Sequence, residues 1–374
     1  MAVRVTADDG RQWWLTERIG WGGEGTVYAV ADVPALVAKL VPRPPDPAEY
    51  RARIERLVRR RREPRTVRLL SGAAAGAAWP RVAVTAVRGG VHGYLMSDLR
   101  GRYRPLADLL GTDGRRTGLP SATWRTALRA AAGLATLLAA AHAEGYVVGD
   151  LKPDNLWVDR SGAVGIADLD SWQFTDRGRE FACRMRTAGY TAPETVAAPG
   201  ARRTGAGDDF VLAVLVHQLL MAGLHPFAGL PAGGGRYVSL DDNLAHGRCR
   251  LTDRRSVALR GPLPPVDLLP GRIAALLRAA FGPEGRLRPG DRPEAAAWAA
   301  ALHAELADGR LRDCAENGRH VYTAERPWCP WCDLARRGRE EYPLAPGGAV
   351  PDGAAADRWP PRAGRTADTT WRTA

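Results

Sequence analysis

Lysine is almost absent from this chain. Of its 53 Lys and Arg residues only Lys39 and Lys152 are lysines. An ammonium and a planar guanidinium are not interchangeable at a crowded phosphate. A chain that uses arginine nearly everywhere therefore marks these two positions as constrained, unless both are chance survivors of compositional drift. Cysteine is also scarce, at five residues. Three of the five cluster with a histidine near the C-terminus, and Cys183 and Cys249 stand alone, so no disulfide framework is indicated and a reducing compartment fits. There is no run of about 18 consecutive apolar residues. Residues 122–143 come nearest, and Arg125 and Arg129 interrupt them. No transmembrane helix is expected, and the N-terminus lacks the charged-then-apolar pattern of a signal peptide. These absences together point to a cytoplasmic protein. Acidic residues are outnumbered, giving a net charge of +12 and a pI near 10.1. Such a balance suits nucleic acid or acidic partners. The arginines are spread along the chain with no aromatic-interleaved stripe, so nucleic-acid binding is not expected of the main body and stays open only for the C-terminal module.

The residues before Lys39 supply glycines. Residues 19–28 read I-G-W-G-G-E-G-T-V-Y, in which Gly20, Gly22 and Gly25 satisfy G-x-G-x-x-G, with Gly23 between them and Val27 two residues beyond. Glycine lets a backbone approach phosphates closely. A dinucleotide-binding turn carries the same glycines but is followed directly by a helix. Here Thr26–Val30 is β-prone and Leu36–Val41 is a second strand-like run. Asp46-Pro47 then opens a helix that holds Glu49 and Glu55, the latter amid an apolar stripe of Ile54, Leu57 and Val58. Farther on, Trp124, Leu128, Leu134, Leu137 and Leu138 recur at helical intervals between Pro120-Ser121 and Gly145, which are start and stop signals. Asp150-Leu151-Lys152-Pro153-Asp154-Asn155 follows, then Asp168-Leu169-Asp170, Ala192-Pro193-Glu194, an apolar run opening at Asp208, His225-Pro226-Phe227 and Arg292-Pro293.

Taken together these segments resemble a bacterial eukaryotic-like (Hanks-type) serine/threonine protein kinase, over about residues 15–307. The resemblance implies an α+β, two-lobed fold, with a β-rich N-lobe at 1–100, a helical C-lobe at 101–307 and ATP in the cleft between them. It implies that Gly20, Gly22, Gly23 and Gly25 cover the phosphates. Val27, Ala38 and Met96, the last in a hinge at Leu95–Leu99, complete the ATP site. Lys39 would pair with the α- and β-phosphates and be steadied by Glu55, with Glu49 as the fallback. Asp150 would accept or orient the proton of the substrate hydroxyl, Lys152 would neutralise the transferred group, and Asn155 and Asp168 would hold Mg²⁺. Thr187 would touch Asp150 and Lys152, Asp208 would bind the backbone of the catalytic loop, and Glu194 would pair with Arg292. The implied activity is Mg²⁺-dependent transfer of the ATP γ-phosphate to Ser or Thr of protein substrates, for which a preference for acidic phosphoproteins stays open. A PP2C-type phosphatase or a von Willebrand A-type protein is an implied partner.

The departures from the family pattern matter as much. The usual H-R-D reads Val148-Gly149-Asp150, without the arginine that receives an activation-loop phosphate, so activity is expected not to depend on that switch. The usual D-F-G reads Asp168-Leu169-Asp170, and Asp170 has two open readings, a further metal contact or a solvent-facing side chain. This variant pattern resembles a bacterial subgroup with G-D-L…N and D-x-D-S-x-Q. Small-molecule kinases resembling aminoglycoside or choline kinases also use G-D…N and D-x-D, but do not normally carry A-P-E with a downstream arginine. A scaffold without catalysis is the other alternative, against which Lys39, Asp150, Lys152, Asn155 and Asp168 are all present.

Residues 308–335 form a separate module with the spacing C-x5-H-x8-C-x2-C, from Cys314, His320, Cys329 and Cys332. Three thiols and an imidazole complete a tetrahedral shell suited to structural Zn²⁺, whose binding would supply the folding energy of so small a unit. A redox pair, or cysteines with no special role, is the alternative. The pattern resembles zinc ribbons attached to some kinases of the same subgroup. From about Arg336 to the end, Gly, Pro, Ala and Arg dominate without periodicity, and disorder is expected.

Overall fold

The computed structural model describes residues 3–22, 25–232 and 238–344. Alternating apolar residues in the first hundred positions give β1 (Val3–Thr6), β2 (Gln12–Gly22), β3 (Gly25–Val30), β4 (Leu36–Val41), β5 (Val82–Ala86) and β6 (His92–Ser97). These antiparallel strands close into a barrel in the order β1-β2-β3-β4-β6-β5. In β4, Lys39 lies opposite Val27 of β3 and Tyr94 of β6. Between β4 and β5 runs α1 (Pro47–Arg60). Asp46 caps it by accepting from the Glu49 N–H at 2.9 Å, Pro47 starts it, and Arg59 and Arg60 sit at its negative C-terminal end. Its Ile54 and Leu57 are buried.

The second lobe is built on α2 (Trp124–Ala143), α3 (Gly205–Leu220) and α4 (Ala295–Glu305). By length and composition α2 is apolar enough to cross a membrane. It is instead the central core helix, packed on α3 and α4. Its Trp124 indole donates to the Leu220 carbonyl at 3.0 Å. Two short strands, Leu156–Val158 and Val164–Ile166, pair antiparallel with Leu156 opposite Ile166. This register sets Asn155, just before the first strand, beside Ala167, whose N–H donates to the Asn155 carbonyl at 2.9 Å. Asp168 follows directly.

Near the C-terminus β7 (Leu311–Asp313) pairs with β8 (Val321–Thr323), and α5 (Pro330–Arg336) follows. The expectation of disorder from Arg336 is corrected as far as Leu344. Glu341 and Tyr342 are buried, Glu341 in an ion pair with Arg115 of the C-lobe, and the Tyr342 ring meets Trp331 edge-on at 4.9 Å. Composition shows the arginines of this stretch, but not the partners waiting for its buried acid, Glu341, and its aromatic ring. The remainder of the expected tail, 345–374, lies outside the described residues.

Candidate active site

The glycines flank the β2–β3 pairing, with Gly20 opposite Val27 and Gly22 opposite Gly25. Gly25 is required as glycine: its φ is 140°, and a Cβ there would sit 2.5 Å from the Leu40 carbonyl. Gly23 lies outside the described residues. Strand alternation puts Val27, Val37, Lys39, Tyr94 and Met96 on one face of the barrel wall. Ala38 is on the other face, packed with Val5, Leu15, Val84 and Leu95 in the barrel interior. The expectation that Ala38 lines the nucleotide site is therefore corrected; the residue that shares the face of Lys39 is Val37, two positions before it. Period-two reading of Leu36–Val41 contained that signal.

Lys39 is buried and forms ion pairs with Asp168 and with Asp170, the latter at 2.9 Å. Burial pulls its pKa down. The attraction of Asp170, then Asp168, and the hydrogen bonds Lys39 donates to both more than reverse this, so the ammonium is held above the ordinary lysine range. Asp170 also accepts from the hydroxyls of Tyr94 at 2.7 Å and Tyr50 at 3.3 Å. Burial, then the charge of Asp170, pushes both phenols up, so they remain donors. Asp168 has φ 65°, a left-handed conformation in which Asp is among the few side chains enriched; such backbone clusters at functional sites. Arg53 of α1 donates to the carbonyls of Asp170 (3.2 Å), Trp172 (2.8 Å) and Ala182 (2.7 Å). A cavity of about 510 Å³ opens beside this cluster, walled in part by Tyr50, Arg53, Asp170, Ser171 and Met185.

Glu55 does not reach Lys39. It pairs with Arg51 at 2.8 Å, one turn back on the outer side of α1, and the expected Lys39–Glu55 pair is corrected. The fallback, Glu49, faces Arg53 at 3.8 Å and Arg184 at 3.5 Å. The face of α1 that meets the cluster carries Tyr50, Arg53, Ile54 and Leu57, at helical spacing; Glu49 lies at its edge, beside the same cavity, but pairs with Arg53 and Arg184. Tyr50, Arg53 and Tyr94 went unread in the sequence, because isolated tyrosines and arginines carry no motif.

On the opposite side of the cleft Asp150 is buried. Its Oδ2 accepts from Lys152 Nζ at 2.6 Å and its Oδ1 from the Thr187 hydroxyl at 2.7 Å. Asn155 Nδ2 donates to the Asp150 carbonyl at 3.0 Å. Asp208, at the start of α3, accepts from the N–H groups of Val148 (2.7 Å) and Gly149 (2.8 Å) and contacts His142 Nε2 at 3.0 Å. Gly149 stands where the arginine is missing. Its φ is 74°, and a Cβ would lie 2.7 Å from the Cys183 side chain, so no larger residue fits. Glu194 and Arg292 form a two-pronged pair at 2.7 and 2.8 Å. In the C-terminal module the ligand atoms of Cys314, His320, Cys329 and Cys332 all lie within 4.8 Å of one another.

Solved structures share this architecture. The fold is that of a protein kinase. A rhoptry kinase of Toxoplasma gondii superposes with a TM-score of 0.54 at 16% identity, covering 82% of this chain and 84% of that one. A second Toxoplasma gondii protein, titled a virulence factor with a protein-kinase fold and no enzymatic activity, gives 0.52 at 16% identity over 82% and 85%. In sequence, two Escherichia coli proteins named Protein kinase YegI are 32% identical over 327 residues and 31% identical over 343. Those matches cover 86% and 90% of this chain but 48% and 51% of the relatives, so the chain spans about half their length. A Streptomyces coelicolor serine/threonine-protein kinase, PkaB, is 36% identical over 113 residues, 28% of this chain and 26% of that one. No family model matches. Fold and relatives together make this a kinase-like protein.

Proposed function

We propose that the chain is an ATP-dependent phosphotransferase acting on Ser or Thr hydroxyls of proteins. The observation that carries this reading is the setting of Asp150, a buried carboxylate bracketed by Lys152 Nζ and the Thr187 hydroxyl. Asp150 would take the proton of the incoming hydroxyl as its oxygen bonds to the γ-phosphorus. The bond from the γ-phosphorus to the β–γ bridging oxygen would break, and ADP would leave with that electron pair. Lys152 would offset negative charge on the group in flight, and Thr187 would hold the carboxylate in line. Lys39 would bind the α- and β-phosphates, and the strands carrying Gly20, Gly22 and Gly25 would approach them by backbone. Catalysis of this kind rests on positioning and charge.

The donor set fits Mg²⁺. Asn155 uses its amide nitrogen on the Asp150 carbonyl, which leaves its side-chain oxygen as a hard ligand, and Asp168 supplies a carboxylate on the adjoining strand end. Mg²⁺ needs few protein ligands. Bound there, it would screen the charge of the phosphates. The C-terminal cluster fits a different metal. Its Sγ–Sγ and Sγ–Nδ1 separations, 3.5 Å for Cys314–Cys332, 3.4 Å for Cys332–His320 and 3.6 Å for Cys329–His320, suit donors gathered around one tetrahedral Zn²⁺. Four protein ligands leave no open position, so Zn²⁺ would be structural.

The test is incubation of the protein with Mg²⁺, γ-labelled ATP and a generic protein substrate, beside Asp150→Asn and Lys39→Met. Label on Ser or Thr, lost in both variants, supports the proposal. A second reading, a nucleotide-binding scaffold, has a precedent in the solved neighbour titled as lacking enzymatic activity. Retained ATP binding without any label would establish it.

A further inference from the structure

Among the described residues, two carboxylates pair with Lys39, and both come from one turn, Asp168 to Asp170. The two acids are not equivalent. The Asp168 side chain keeps 17% of its surface exposed, and that of Asp170 keeps 6%. Asp170 Oδ1 accepts from Lys39 Nζ and the Tyr94 hydroxyl, and its Oδ2 accepts from the Tyr50 hydroxyl. Three donors on two oxygens commit this carboxylate to the N-lobe. A metal there would have to displace them and sit against a buried ammonium.

We infer that Asp170 is the positioning residue that holds Lys39 for the nucleotide, in place of a helix glutamate, and that it is not a metal ligand. The inference rests on the phosphotransfer reading and names how that site is held. In kinases whose anchor rides on a helix, the helix position controls whether the lysine is held. Here the anchor belongs to the same turn as Asp168. Helix α1 reaches it by the neutral Tyr50 hydroxyl and by the Arg53 clamp on the carbonyls of Asp170 and Trp172. Helix α1 thus steadies the anchor without supplying it.

The test compares wild type with Asp170→Asn, Asp170→Glu, Tyr94→Phe and Glu55→Gln, measuring kcat, KM for ATP and MgATP affinity at low and high Mg²⁺. Asp170→Asn should lose roughly tenfold or more in kcat/KM, by the same factor at both Mg²⁺ levels. Asp170→Glu should regain part of that loss, Tyr94→Phe should lose less in the same Mg²⁺-independent way, and Glu55→Gln should stay close to wild type. A defect of Asp170→Asn that high Mg²⁺ repairs would make Asp170 a metal ligand and overturn the inference. So would a Glu55→Gln defect as large as that of Asp170→Asn. If Asp170→Asn does not fold, Tyr94→Phe carries the same comparison. If wild type transfers no phosphate, the phosphotransfer reading fails, while MgATP affinity still tests the anchor: equal affinity in wild type and Asp170→Asn refutes it.

Discussion

Glu341→Leu removes one half of a buried ion pair, and the structure says what its other half then lacks. Arg115 is 2% exposed and Glu341 1%. The guanidinium donates to the carbonyls of Leu109 (2.8 Å), Leu110 (3.1 Å) and Glu341 (3.0 Å), and one of its terminal nitrogens contacts the Glu341 carboxylate. The Tyr342 ring lies against it at 4.6 Å. The carbonyls survive the substitution, but a positive charge is left in a dry site with no counter-charge. Breaking a buried pair from one side costs about 3–5 kcal/mol, against a total stability of about 5–15 kcal/mol. At about 2–4 °C per kcal/mol for a large domain, Tm should fall by roughly 6–20 °C. The double variant Arg115→Met/Glu341→Leu should recover much of that, because apolar replacement of both buried partners is close to neutral, while Arg339 and the Thr112 hydroxyl, which also bond the Glu341 carboxylate, retain part of the loss. Thermal melts of wild type, the two single variants and the double variant read this out. A single variant that melts with wild type would mean that residues 339–342 do not hold the C-lobe. A double variant that loses the sum of the singles would mean that the pair is not coupled.

Glu194→Gln keeps the shape at its site but removes the counter-charge of Arg292, whose side chain is fully buried. Urea unfolding should show a loss of about 2–4 kcal/mol, and an unchanged midpoint would refute the pairing. Chelation should release zinc in a one-to-one ratio and lower the melting temperature, whereas an unchanged melt with no metal released would remove the C-terminal site. His225 donates Nε2–H to the Gly189 carbonyl and accepts the Phe227 N–H on Nδ1, so it is held neutral and burial pushes its pKa down to about 4. An unfolded histidine takes up its proton near pH 6.5, so this stability is present above about pH 6.5 and is lost as pH falls toward the folded value, at about 1.4 kcal/mol per pH unit. His217, pushed down by burial to about 3, adds to the loss, while buried Asp209, pushed up to about 6, opposes it below that pH. His225→Gln should therefore be less stable at neutral pH but decline less steeply from pH 6.5 to 5, and an unchanged slope would refute the assignment.

What was legible in the sequence was local. Asp150, Lys152 and Asn155 fall within six residues, and their spacing alone puts them around one carboxylate. Lys39 stood out because arginine had replaced lysine almost everywhere else. Face assignments were legible too, but only by period: a strand reads in twos, and Val37 rather than Ala38 shares the face of Lys39. What could not be read was which distant group completes a charged site. Arg115 and Glu341 are 226 residues apart, and Lys39 and Asp170 are 131 apart. Nothing local separates an acid that pairs from one that faces water.

Glu55 illustrates the cost of that gap, and also how to close it. A buried lysine needs a counter-charge, and the apolar stripe of α1 made Glu55 the nearest candidate. The same stripe, read by angle, turns Tyr50, Arg53, Ile54 and Leu57 inward and leaves Glu55 to Arg51. Once both acids of α1 are committed to arginines, Glu55 to Arg51 and Glu49 to Arg53 and Arg184, the need for a counter-charge must be met elsewhere. Asp170 stands where the resembled family pattern has a glycine, two residues after Asp168 and against Lys39. An acid gained there and helix acids committed to arginines instead of Lys39 are, on this view, one change rather than two. The open choice between metal contact and solvent for Asp170 lacked a third possibility, that it answers Lys39. That possibility follows from electrostatic neutrality, because an unpaired ammonium buried this deeply costs more than the fold can spare.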